Sequence, residues 1–210
     1  MALWLTCAIA FVLAYLLGSI PFGLLLTRAA GLGDIRQIGS GNIGATNVLR
    51  TGRKDVALAT LVLDGGKGAG AVLLARWLGG HEAALLAGLG AVIGHQFSPW
   101  LGFKGGKGVA TKLGTLLALN FWVGLATCGT WLVVAFLFRY SSLAALVSLA
   151  LAPFYAWLIF DADRWTVLTI AALTLLVWQR HHENIGRLLR GEESKIGARK
   201  PAAPPSASPN

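Results

Sequence analysis

Four short segments carry residue types whose spacing suits chemistry on an anion. Residues 39–47 read GSGNIGATN: three glycines with Ser40, Asn42, Thr46 and Asn47, and Arg50 follows three positions later. Such a stretch can turn several backbone N–H groups and small polar side chains toward one oxyanion, so it reads as a phosphate cradle. The alternative is a flexible polar turn. Residues 103–111, FKGGKGVAT, set Lys104 and Lys107 around Gly105 and Gly106, with Gly108 ahead of a helix start. Two ammonium groups beside a helix N-terminus suit a phosphoryl group; a lysine pair at a membrane surface is the other reading. Near the C-terminus His181, Asn184 and Arg187 share one helical stripe. An imidazole, an amide and a guanidinium on one face can hold a polyol phosphate. Asp64 and Lys67 stand at i and i+3 inside an apolar run. Ionisable residues are costly there, so they mark either a functional contact, with Lys67 reaching a phosphate, or a structural ion pair.

Absent motifs narrow the reaction. The sequence has no GxSxG elbow, no HExxH and no GxxxxGK[ST] loop, and none of the four histidines is followed five positions later by Asp. Acyl chemistry on these residues would therefore rest on positioning and charge stabilisation, with the substrate's own phosphate available as proton acceptor. Cys7 and Cys128 lie in apolar runs without metal-site or CxxC spacing, so no zinc site or disulfide framework is expected.

The elements that must position these segments belong to a membrane. Of 210 residues 55% are hydrophobic and 13% charged, and the mean hydropathy is +0.65; a water-facing surface cannot be built from so few charges. The formal net charge is +9. The basic loops are short and carry no nucleic-acid motif, which leaves anionic lipid or an anionic substrate as the partner. Apolar runs cover about 3–27, 55–79, 83–100, 109–138, 142–160 and 164–180. The first lacks the basic start and cleavage site of a secretory signal and reads as a retained span. Basic residues cluster in 28–54, 101–112 and the segment after 180, which the positive-inside bias places together in the cytoplasm. That parity requires the 109–138 run to cross twice, turning near Asn120 and Phe121. The expectation is an all-α polytopic bundle of seven transmembrane helices, N-terminus outside and C-terminus cytoplasmic, with 15 of 18 Lys and Arg in cytoplasmic segments. Its fourth helix is short, since half of the 109–138 run rises only about 22 Å against a hydrocarbon core of about 30 Å. Six tryptophans, Trp4, Trp77, Trp100, Trp157, Trp165 and Trp178, fall near span ends, as interfacial residues do. Gly66/Gly70 and Gly90/Gly94 have the GxxxG spacing of close helix contact, expected within one bundle rather than between chains. Residues 1–200 read as one integral membrane domain, and 201–210 as a Pro/Ser-rich tail with no core to bury.

Taken in order, GSIPFG at 18–23, GSGNIGATNVLR at 39–50, LDGGKG at 63–68, GFKGGKGVAT at 102–111, YSSL at 140–143 and HHENIGRLLRGEE at 181–193 resemble the motifs of the bacterial acyl-phosphate:glycerol-3-phosphate acyltransferases, integral membrane enzymes of phospholipid synthesis. The resemblance runs from Gly18 to Gly197. It implies transfer of the acyl group of an acyl phosphate to the 1-hydroxyl of glycerol 3-phosphate, giving lysophosphatidic acid and inorganic phosphate, with no metal or other cofactor and no covalent acyl-enzyme. It implies a multi-pass protein of the bacterial inner membrane with its site facing the cytoplasm; the glycine pairs, expected to pack within one bundle, point to a monomer among lipids. Matched position by position, Arg50, Lys104 and His181 are the catalytic candidates. Ser40, Asn42, Thr46, Asn47, Gly105, Gly106, Lys107, Gly108, Ser142, Asn184 and Arg187 are the substrate-binding candidates and Glu193 is the acidic position that follows; apart from the resemblance, Asp64 and Lys67 are candidates for intramembrane support. Two positions depart from the pattern: Pro99 in HQFSPW stands one place late, and His182 occupies a position where the family commonly has Arg. The rival function is a transporter or lipid-binding protein that recognises an anion without changing it. Such transporters often show two similar halves, and this chain does not repeat.

Overall fold

The computed structural model describes residues 2–197, and no strand occurs among them. The expected tail at 201–210 lies outside the described residues. Helix α1 spans Leu3–Gly18 and α2 spans Phe22–Ala29. The apolar run expected over 3–27 is one span-length segment that breaks between α1 and α2, where Pro21 has no N–H to donate. After a loop containing the short α3 (Ala45–Val48), α4 runs Lys54–Gln96 but is two arms that meet at Gly80, φ 83° and ψ −165°, a conformation open only to glycine. The arms fold back on each other: Val72 packs with Ala84 and Leu85, and Lys67 reaches His95. Helices α5 (Val109–Leu119) and α6 (Phe121–Phe138) divide the long apolar run at Asn120, whose Oδ1 caps α6 by accepting from the Val123 N–H at 3.2 Å. Helix α7 (Ser141–Phe154) loosens after Pro153 into a π turn, Tyr155–Ile159, as a missing N–H forces. Asp163 caps α8 (Arg164–Gln179) through the N–H groups of Trp165 and Thr166, and α9 covers His182–Leu189.

Four segments are long and apolar enough to cross a membrane: Leu3–Ala29, Lys54–Leu101, Phe121–Phe138 and Ser141–Ile159; Val109–Leu119 and Arg164–Gln179 are apolar but shorter. Val92, Leu116, Val123, Leu149, Ile170, Leu173 and Val177 form the largest core, while Phe136 at 84% and Leu175 at 71% exposure turn apolar surface outward, as a lipid solvent permits. Helix α5, at 11 residues, rises only about 17 Å. Its end would leave carbonyls unsatisfied among apolar neighbours, and the Arg76 guanidinium meets two of them, donating to the Ala118 and Leu119 carbonyls at 3.0 and 2.9 Å.

One of the two GxxxG pairs makes the expected close contact. A methyl group on Gly90 or Gly94 would run into the Phe11 and Tyr15 carbonyls of α1, whereas Gly66 and Gly70 have nothing within 4 Å. The first arm instead meets α5 through its neighbours: Gly68 lies against Thr111, and Gly114 against the Gly65 backbone.

Contacts between elements place the three basic segments at one end of the bundle. There Arg50 of the first segment donates to Ser194 of the third, Arg180 at the start of the third donates to the Gly105 carbonyl of the second, and Arg139 donates to the Ile196 carbonyl. At the other end His81, beside the Gly80 turn, meets Asp163 and Thr166 at the start of α8.

Candidate active site

The first glycine-rich loop is shaped around Asn47, 3% exposed. Its Nδ2 donates to the carbonyls of Ile35, Ile38 and Asn42 at 2.8–3.0 Å, and its Oδ1 accepts the Ser40 N–H at 3.1 Å. Both ends of the amide are thus committed to the loop, and Asn47 builds the cradle instead of lining it. Gly39 is at φ 58°, with Arg50 Cδ 2.7 Å from where a β-carbon would stand, so the chain turns tightly over the Arg50 side chain. The Ser40 and Thr46 side chains are exposed; Thr46 Oγ1 lies 3.0 Å from Ser141 Oγ, the neighbour of the expected Ser142. Arg50 donates to Ser194 Oγ at 2.5 Å, which brings this loop to the C-terminal segment.

The second loop folds onto the end of α4. Gly105 N–H donates to the Gln96 carbonyl and Gly106 N–H to the His95 carbonyl, and Gln96 Nε2 donates to the Lys107 carbonyl at 3.0 Å. The Gly105 and Gly106 amides are therefore spent on the end of α4, which leaves the Lys104 and Lys107 side chains and the start of α5 as the loop's groups for an anion. Gly108, at φ 83°, leads into α5 without a side-chain cap. The first N–H groups of α5 stand at the positive end of that helix, next to Lys107. Lys104 is exposed and makes no side-chain hydrogen bond among the described residues.

Lys107 points the other way, into the site. Its Nζ donates to Asn184 Oδ1 at 2.5 Å; Asn184 Nδ2 donates to Glu193 Oε1 at 2.7 Å. Glu193 also accepts from Ser142 Oγ at 2.7 Å and, on Oε2, from Arg187 Nε at 2.7 Å. One carboxylate so gathers three of the expected residues and, through Asn184, a fourth. His181, 2% exposed, donates from Nδ1 to the Val177 carbonyl at 2.7 Å, which leaves Nε2 with its lone pair.

Burial pushes the Lys107 ammonium down to about 8; Glu193 and Glu183 pull it up, and Arg187 and Arg50 push it further down. Burial likewise pushes the His181 imidazole down to about 4, against the Val177 carbonyl and with the help of Lys107, so the ring is neutral at pH 7. Burial of Glu193 opposes its charge, but the hydrogen bonds from Ser142, Arg187 and Asn184 outweigh it and hold the carboxyl below the usual range.

Asp64 and Lys67 stay away from this cluster. Lys67 Nζ stands 2.7 Å from Asp64 Oδ1, 2.8 Å from the Ile20 carbonyl and 2.9 Å from His95 Nδ1, with the three side chains buried. Lys67 is engaged in an ion pair with Asp64, and His95 is a third member of that group. The residues that motif spacing missed are those joined by the fold: His95 and Gln96 under the second loop, Arg180 on its carbonyl, and Ser194 on Arg50. His182 is exposed, its Nδ1 directed at the Gln179 carbonyl.

The family model described as Glycerol-3-phosphate acyltransferase matches residues 8–191. A protein of that name from Rhodospirillum rubrum is 66% identical over 206 residues, covering 94% of this chain and 93% of its own. One from Caulobacter vibrioides is 58% identical over 207 residues, covering 97% and 94%. Among solved structures, PlsY (YgiH), an integral membrane glycerol 3-phosphate acyltransferase in its glycerol 3-phosphate form, superposes with a TM-score of 0.86 at 36% identity, covering 91% of this chain and 96% of that one. Its lysophosphatidic acid form gives 0.84 at 35% identity, covering 91% and 95%. With the match spanning both glycine-rich loops and the α8–α9 junction, the chain belongs to the glycerol-3-phosphate acyltransferase family.

Proposed function

We propose that this protein transfers the acyl group of an acyl phosphate to the 1-hydroxyl of glycerol 3-phosphate, yielding lysophosphatidic acid and inorganic phosphate. The observation that carries the reading is the Lys107–Asn184–Glu193 network with Arg187, Ser142 and neutral His181 around it: a fixed, cation-rich set of donors with one free imidazole lone pair. Arg50, Lys104 and Lys107 hold the phosphates. Ser40, Asn42 and Thr46 line the mouth of the first loop, and His181 and Asn184 orient the glycerol hydroxyls. An apolar groove of about 460 Å³ between α7, α8 and α9, lined by Leu146, Val147, Leu151, Trp178, Ile185 and Leu188, takes the fatty chain.

The glycerol hydroxyl oxygen bonds to the acyl carbonyl carbon, the bond from that carbon to the bridging phosphate oxygen breaks, and phosphate leaves with the electron pair. The hydroxyl proton passes to a phosphate oxygen. Phosphate is a good leaving group, so no side chain needs to carry the acyl group, and the cations stabilise the charge on the departing group. His181 accepts a hydrogen bond from the attacking hydroxyl and orients it; acting as base is its runner-up role.

The chain crosses a bacterial inner membrane seven times as a monomer, counting the two arms of α4 separately, with its N-terminus outside and the site at the cytoplasmic face. The gathering of the basic segments at one end of the bundle supports that orientation. The test is direct: purified protein, acyl phosphate and glycerol 3-phosphate in detergent should give lysophosphatidic acid and phosphate in equal amounts. Recovery of both reactants intact would favour a transporter or binding protein instead.

A further inference from the structure

The Asp64, Lys67 and His95 side chains are 1–4% exposed, inside helices that are otherwise apolar. The Lys67 ammonium donates to the Ile20 carbonyl at 2.8 Å and to His95 Nδ1 at 2.9 Å, and Asp64 Oδ1 stands 2.7 Å away as its counter-charge. Accepting at Nδ1 puts the neutral ring's proton on Nε2 and fixes the ring plane. That ring lies against the second loop. A β-carbon on Gly106 would overlap His95 Nε2 and stand 3.1 Å from Cδ2 and Cε1, and the His95 carbonyl accepts the Gly106 N–H at 3.1 Å. The next residue is Lys107, whose ammonium meets Asn184. Apolar side chains of similar volume would hold the two arms of α4 together without the cost of burying charge. They would not fix the orientation of an imidazole.

We propose that Asp64, Lys67 and His95 act as positioning residues for the Lys107 ammonium: Lys67 fixes the His95 ring, the ring seats Gly106, and Gly106 sets where Lys107 reaches. The kinetic consequence rests on the function proposed above; the seating itself does not.

The experiment uses the full chain in detergent and the variant His95→Asn, which keeps an acceptor for Lys67 near Nδ1 and removes the rest of the ring. Hydrogen–deuterium exchange should show the amides of residues 105–108 exchanging about tenfold faster or more, with α6 peptides unchanged. In the transfer assay kcat/KM for glycerol 3-phosphate should fall about tenfold, yet in a Lys107→Ala background the same change should cost less than about twofold, because both act on one group. Unchanged loop exchange overturns the proposal whatever the activity. Faster exchange with fully additive losses overturns the claim that the triad acts through Lys107. If the wild-type chain fails to turn over acyl phosphate, the functional reading falls while the exchange result still decides the seating. If His95→Asn loses protection throughout the core, Gly106→Ala, which lifts the loop off an intact ring, carries the same two comparisons with the same outcomes.

Discussion

Of the three cations proposed to hold the phosphates, Lys107 is the one that is not exposed, and its ammonium titrates within reach of an assay. With its pKa held down to about 8, the group is a cation below that pH and is lost as pH rises through it. About 90% carries charge at pH 7 and about 9% at pH 9, so kcat/KM for glycerol 3-phosphate should fall about tenfold between those values. The measurement is initial rate at low glycerol 3-phosphate and saturating acyl donor, from pH 6.5 to 9.5. Lys107→Arg sharpens it: a guanidinium stays charged throughout, so whatever activity the variant keeps should show no basic limb near pH 8. On the acid side His181 stays neutral down to about pH 4. An inflection near pH 6 shared by wild type and His181 variants then belongs to the second ionisation of the substrate phosphate. A wild-type profile flat to pH 9.5, or the same basic limb in Lys107→Arg, would refute the assignment of Lys107 as the titrating phosphate contact.

Replacing His181 by Ala should raise KM for glycerol 3-phosphate and largely retain kcat; a collapse of kcat at unchanged KM would make the imidazole the base. Asn47→Asp should lower kcat/KM at least as far as Asn47→Ala, because a carboxylate cannot donate to the three carbonyls that the amide holds; an Asp variant with wild-type rates would contradict the loop assignment. Gly114→Ala should destabilise by about 1–3 kcal/mol through collision with the Gly65 backbone, lowering Tm by several degrees, while Gly66→Ala, which meets nothing, should be neutral or slightly stabilising. Equal melting temperatures for the two variants would argue against the α4–α5 contact.

The division of the long apolar run was legible because charge parity demanded it and Asn120 is a good helix cap. Arg76, which finishes the short α5, was not legible as a cap: its partners are carbonyls 42 and 43 residues away in sequence. The break after α1 had a visible signal in Pro21 that an apolar run as a whole conceals. Gly66/Gly70 and Gly90/Gly94 have the same spacing, yet only the second pair touches a neighbouring helix, because spacing defines a face without saying what that face meets. For the site, residue types in the two loops pointed to an anion, but Asn42, Thr46 and Asn47 look alike in sequence; only the carbonyls that surround Asn47 separate the residue that shapes the loop from those at its mouth. His95 was out of reach for the same reason as Arg76, since its part in the buried charge cluster depends on two arms of α4 folding back at a single glycine.

Direct transfer between two phosphate-bearing substrates, with no acyl group ever resting on the protein, is the central step of the proposed reaction. Rapid-quench single turnover with acyl-labelled acyl phosphate tests this most directly. Without glycerol 3-phosphate there should be no phosphate burst and no label on the chain, and with it lysophosphatidic acid and phosphate should rise together at one rate. A stoichiometric burst of phosphate accompanied by labelled protein would contradict it.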